Sequence, residues 1–336
     1  MKMIKNFMLW LLGLIFLFSC GNPNDPESLI PPDLSGGYKI VYKFVTSGYA
    51  QDVLKKDNLL YIAQGEGGLL ILDVADPLNP EIISVTTDEV RGYNTSLTMK
   101  DSVVYLAAGG FGLNVVDISD PLLPEVTASN VGIKPAASFA LLGDFLLTAI
   151  SEKGVGIAEL SEPTQPDIRG EFSVSGYANG LALNDTTLLL VASGEMGMSI
   201  YDISDFQQGY GIYPHVGWCD TPGYAEAIKI RENDSIAFLA CGTAGLQIID
   251  YSDTANIFIA GSYDASGYAK DLEYKNNLVF MTTESSGLQI INVTDIAQPS
   301  LVGIVETEYA LGLDLDENYI YLADDTEGII IISIPD

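Results

Sequence analysis

The chain has 336 residues, 48% of them hydrophobic, which is enough apolar material for one large domain and excludes wholesale disorder. Fifteen Lys and Arg stand against 45 Asp and Glu, a net charge of −30 at pH 7. A surface of that sign repels phosphate backbones and excludes nucleic acid as the expected partner; the charge reads as solubility or as attraction for divalent cations or a basic partner.

Residues 1–19 read as an export signal. Lys2 and Lys5 form a short positive region, and residues 7–18 (FMLWLLGLIFLF) are an uncharged apolar run of twelve. That run is shorter than the ~20 residues a bilayer-spanning helix takes, but it fits the apolar part of a signal peptide. Its loss would leave 13 basic residues against 45 acidic ones. The run ends in Leu17-Phe18-Ser19-Cys20-Gly21, which resembles the lipobox of bacterial lipoproteins. The resemblance implies cleavage before Cys20, diacylglycerol on its sulfur and acylation of its new amino group, so that several acyl chains hold the protein to a membrane. Gly21 rather than aspartate follows the cysteine, which by the same resemblance points to the outer membrane, with the periplasmic or cell-surface side left open. The alternative is an ordinary signal with an incidental cysteine. Residues 20–37 then form a Pro- and Gly-rich flexible tether.

From residue 38 onward the chain repeats. Gly48-Tyr49-Ala50, Gly92-Tyr93-Asn94, Gly176-Tyr177-Ala178, Gly223-Tyr224-Ala225 and Gly267-Tyr268-Ala269 are one motif, with weaker copies at Lys134-Pro135-Ala136 and Glu308-Tyr309-Ala310. The steps between second residues are 44, 42, 42, 47, 44 and 41. Each unit gives an apolar segment, a polar pair such as Asp57-Asn58 or Asn276-Asn277 that suits a tight hairpin, a second strand, a Gly-containing turn, and a third strand such as Leu69-Leu70-Ile71-Leu72-Asp73. Asp-Pro then ends the strand, as at Asp76-Pro77, and a last strand begins near the second proline, at Pro80 or Pro299. Four strands per unit at this period predict an all-β, seven-bladed β-propeller of four-stranded antiparallel blades over residues 38–336. The last unit stops after its third strand, and residues 38–44 precede the first motif, so the N-terminal strand is expected to complete the last blade.

Gly112-Leu113-Asn114-Val115-Val116-Asp117-Ile118-Ser119-Asp120-Pro121, with its copies near Leu69 and Met198, resembles the LVIVD repeat family of bacterial surface proteins. That resemblance implies a propeller and is nearly silent on function. The third repeat departs from it at Pro135 and at Ala158-Glu159-Leu160.

In such blades the entry motif and the turn between strands two and three share a face. The candidate ligand-binding face therefore holds Tyr49, Tyr93, Tyr177, Tyr224, Tyr268 and Tyr309, with Glu66, Glu195, Glu284 and Asp325 from the turns, and Asp52 and Asp271 near the channel. Aromatic faces with placed carboxylates suit a cation, a glycan or a basic peptide; the alternative is that the repeated tyrosines serve blade packing. The Asp-Ser-Asp-Pro corners on the opposite face read as Asx turns. His215 is the single histidine, so histidine-based zinc clusters and a Ser–His–Asp triad are not expected. Cys219 and Cys241 fall on one face as a candidate disulfide, or as two small buried thiols.

These residues favour a non-enzymatic, monomeric binding module without a cofactor, because regular repeats keep few asymmetric polar groups. The alternatives are a carbohydrate-active enzyme using Asp52 with Asp271 or Glu195, and a calcium-dependent adhesin.

Overall fold

The computed structural model describes residues 33–87, 89–185, 187–206, 211–231 and 233–335. The expected export signal, Cys20 and most of the 20–37 tether lie outside the described residues. Ser35–Asp336 form one compact unit.

That unit contains seven four-stranded antiparallel sheets. The innermost strands are β2 (Asp52–Lys56), β6 (Ser96–Lys100), β10 (Ser138–Leu142), β14 (Gly180–Asn184), β18 (Ala227–Arg231), β22 (Leu272–Lys275) and β26 (Ala310–Leu315). Each packs on the next, and β26 packs on β2, so the seven blades close a ring around a channel. Blades are numbered one to seven in that order.

The strand types follow from their surroundings. Middle strands such as β3 (Leu59–Ala63) and β4 (Leu69–Asp73) are buried on both faces and read as unbroken apolar runs. Outer strands such as β5 (Glu81–Thr86) alternate between exposed and half-buried positions. The polar pairs between first and second strands adopt the left-handed backbone that tight hairpins need, with φ of 51° at Asp57 and 52° and 61° at Asn276 and Asn277. The fourth strands begin one residue later than the sequence suggested, at Glu81 in β5 and Ser300 in β25 (Ser300–Val305), because the preceding proline has no N–H to give the ladder.

Blade seven is completed as expected. β1 (Lys39–Phe44) lies antiparallel to β28 (Gly328–Ser333), with Ile40 opposite Ile332 and Lys43 opposite Ile330. Tyr38 is buried there, its ring 6.2 Å from that of Phe280 of blade six. The residues just before β1 also replace the missing corner of this blade. Elsewhere a corner carbonyl sits against the outer strand of the preceding blade, as Ile296 O does at Gly261 and Thr254 O at Gly217. The Ser35 carbonyl takes that place at Gly303, 2.3 Å from where a Cβ would stand.

The Asp corners are Asx turns. Asp73 Oδ1 accepts the Ala75 N–H at 2.7 Å, Asp117 Oδ1 that of Ser119 at 2.8 Å and Asp202 Oδ1 that of Ser204 at 2.9 Å.

Candidate functional site

The entry motifs and the turns between second and third strands meet on one face. Gly65 pairs with Asn94, Gly109 with Ala136, Ser151 with Ala178, Gly194 with Ala225, Gly242 with Ala269 and Glu284 with Ala310, so the turns of blades one to six are each tied to the entrance of the next. The tyrosines pack over these joints. Tyr93, Tyr224 and Tyr268 lie on Gly65, Gly194 and Gly242, where a Cβ would come within 2.7–2.9 Å of the ring. Gly65 also has φ of +56°, so close approach and backbone both require glycine there. The tyrosines are therefore packing elements, yet Tyr49, Tyr93, Tyr177 and Tyr309 keep 37–57% of their surface in solvent.

On one side of this mouth the tyrosines converge with acids. Asp325 Oδ1 accepts Gln51 Nε2 at 2.5 Å and lies 3.4 Å from the Tyr93 hydroxyl, which reaches across blade one. Tyr49 and Glu66 sit beside Tyr93, and burial together with Asp325 pushes the Tyr93 hydroxyl up from its ordinary value. The Tyr309 hydroxyl donates to Glu284 close to Asp325. The Tyr268 hydroxyl donates to Glu226 Oε1 at 2.7 Å, and Lys270 Nζ to Glu226 Oε2 at 3.0 Å. Tyr224 adjoins the Tyr268–Glu226 pair, and Tyr177 and exposed Glu195 belong to the other side of the mouth.

Below the mouth lies a cavity of about 560 Å³ lined by all seven inner strands. Its two halves differ. Blades five, six, seven and one supply Glu226, Lys229, Lys270, Asp271, Glu273, Asp314 and Asp52; blades two to four supply Thr95, Ser96, Ser138, Phe139, Asn179, Gly180 and Leu181. Lys229 is paired with Glu273. Asp52 Oδ2 accepts Ser96 Oγ at 2.9 Å and the Leu97 N–H at 3.0 Å, and its Oδ1 accepts the Val53 N–H at 2.9 Å. Burial first, then the neighbouring Asp271 charge, raises Asp52 to about 7. Burial raises Asp271 to about 6 against the opposing pull of Lys229. Desolvation also raises Asp314.

Asp52 and Asp271 share one cavity, while Glu195 is not among its lining residues. Both carboxylates are occupied by backbone N–H groups, Asp271 by those of Leu272 and Leu313. Among the described residues no three His, Cys, Asp or Glu side chains converge as a metal site. The candidate disulfide is not formed. Cys219 and Cys241 are buried free thiols; Cys241 donates to Thr221 Oγ1 at 3.6 Å and Cys219 to the Asp220 carbonyl at 3.7 Å. His215 opens the exposed outer strand β17 (His215–Cys219), away from the mouth.

Lys229, Glu273 and Asp314 were not singled out in the sequence. The signal was present: counted five residues past the entry motif's second residue, the repeats read Leu54, Thr98, Ala140, Ala182, Lys229, Glu273 and Asp314.

A model of the LVIVD repeat matches residues 47–87, 91–129, 222–265, 266–307 and 309–336, more than half of the chain. The chain belongs to the LVIVD repeat family. The unmatched residues 130–221 hold blades three and four of this LVIVD ring. No curated protein matches it. Among solved structures it is similar to the crystal structure of the computationally designed Ika8 protein, at 10% identity and a TM-score of 0.60, covering 88% of this chain and 100% of that one. That likeness concerns the fold alone.

Proposed function

We propose that this LVIVD propeller is an exported, lipid-anchored binding module that offers its tyrosine-and-carboxylate mouth to a partner carrying cationic groups. The observation that supports the reading is asymmetry within a repeat. Asp325, Gln51, Tyr93, Tyr49, Glu66, Tyr309 and Glu284 gather over blades six, seven, one and two, with the Tyr268–Glu226 pair beside them, whereas among the described residues of blades three and four no tyrosine hydroxyl is bonded to a carboxylate. Exposed tyrosine faces beside carboxylates attract ammonium and guanidinium groups, and a rigid rim lowers the ordering needed on binding.

The test is calorimetry of the compact unit that begins at Ser35, with tetralysine, tetramethylammonium and neutral oligosaccharides as probes. Binding of the cationic probes, weakened at least about tenfold by Asp325→Asn or Tyr93→Ala, is the expected result. Heat from oligosaccharides alone would move the reading to glycans, and heat from neither would remove it. The anchor is tested separately by palmitate labelling in a lipoprotein-processing bacterium. Label is expected on the wild-type chain and absent from Cys20→Ala, with the labelled protein in the outer-membrane fraction.

A further inference from the structure

Each inner strand has one edge without a strand partner, and that edge faces the channel. Counting four residues past the second residue of each entry motif gives an N–H that points into the lumen: Val53, Leu97, Phe139, Leu181, Ile228, Leu272 and Leu313. Four of the seven are capped by the protein itself. Asp52 bridges Val53 and Leu97, one N–H from its own strand and one from the next blade. Asp271 bridges Leu272 and Leu313 in the same way.

The remaining three, Phe139, Leu181 and Ile228, are consecutive around the ring and line the cavity, and among the described residues no aspartate caps them as Asp52 and Asp271 cap the other four. Where blades one and six carry aspartate, blades three, four and five carry Ser138, Gly180 and Ala227. The first two of these blades are also those that the family's repeat model leaves unmatched.

We propose that this open arc binds the carboxylate of a small ligand, seated between neighbouring blades as the carboxylates of Asp52 and Asp271 are seated elsewhere in the same ring. The ring supplies its own template, since two copies of the arc already hold a carboxylate on the same pair of N–H groups. Converging backbone donors in a half-open channel make a fixed site for such a group. Lys229, next in the chain after Ile228, lines the cavity and stays charged beside Glu273. Burial holds the facing Asp52 and Asp271 toward their neutral forms, which lowers repulsion across the lumen. The arc and the mouth use different residues and opposite probe charges, so either can fail alone.

The test is NMR of protein labelled with ¹⁵N-leucine and ¹⁵N-phenylalanine, titrated at constant ionic strength with acetate and, as the neutral control, acetamide. The Leu181 and Phe139 amides are expected to shift saturably with acetate and not with acetamide. Ser138→Asp places a carboxylate at the position equivalent to Asp52; it should weaken the acetate response more than about tenfold, while Ser138→Ala leaves it unchanged. Thermal melts of both variants establish that the ring is intact. Absence of a saturable shift at Leu181, or an equal shift in Ser138→Asp, overturns the proposal, as does an equal response to acetamide.

Discussion

Asp52, Asp271 and Asp314 carry out one local chemistry at three joints of the ring. Asp314 Oδ1 accepts the Leu315 N–H and its Oδ2 the Lys55 N–H, both at 2.7 Å, joining blade seven to blade one as Asp52 joins one to two. Burial and repulsion from neighbouring carboxylates raise the Asp52 and Asp271 carboxyls well above the value near 4 that they have in the unfolded chain. Between those limits the folded state binds more protons, so stability falls as pH rises from about 4 to 8. Melting temperatures measured across that range should decline, and Asp52→Asn should flatten the decline. A steeper slope in the variant would contradict the assignment. Burial raises the Cys241 thiol to about 12 and also raises Cys219. Neither thiol should react with iodoacetamide in the native protein at pH 8, and both should react in guanidinium, as read by mass spectrometry.

The elements were largely legible before the structure. Val, Ile and Leu runs bounded by Asp-Asn pairs and Asp-Pro corners mark strands whether or not their partners are known, and the period marks blades. The channel chemistry was not. Whether a first-strand residue lines the lumen or the core depends on the plane of its sheet, and one residue separates Asp52, half-buried, from Val53, 4% exposed. Spacing suggested a Cys219–Cys241 bond but could not supply sulfur geometry, and Thr221 and Asp220 take the thiols instead. The element with the clearest energetic role is β1. Tyr38→Ala removes a buried ring from the joint of blades six and seven and should lower stability by about 3–5 kcal/mol in denaturant titrations. Deleting residues 38–44 exposes the edge of β28, and loss of soluble, cooperatively unfolding protein is expected.

At the scale of the whole molecule, 45 acidic residues against 15 basic ones are held in one chain, and the folded ring concentrates the excess. Raising sodium chloride from about 0.05 to 0.5 M should therefore raise the melting temperature, the reverse of what dependence on surface ion pairs would give. The internal repeat made the overall architecture predictable, because each unit can bury its faces only against copies of itself. For the same reason the ring conceals function: a ligand needs differences between blades, and those lie in a few polar positions on a common scaffold.

The pairing of β1 with β28 also fixes an order of events. The strand that seals the ring is made before the other strands of the ring, and its partner is the last of them. While the intervening strands are being made the seal has nothing to grip, so the ring stays open until β28 is complete. Connectivity alone thus keeps the ring from closing before all seven blades exist.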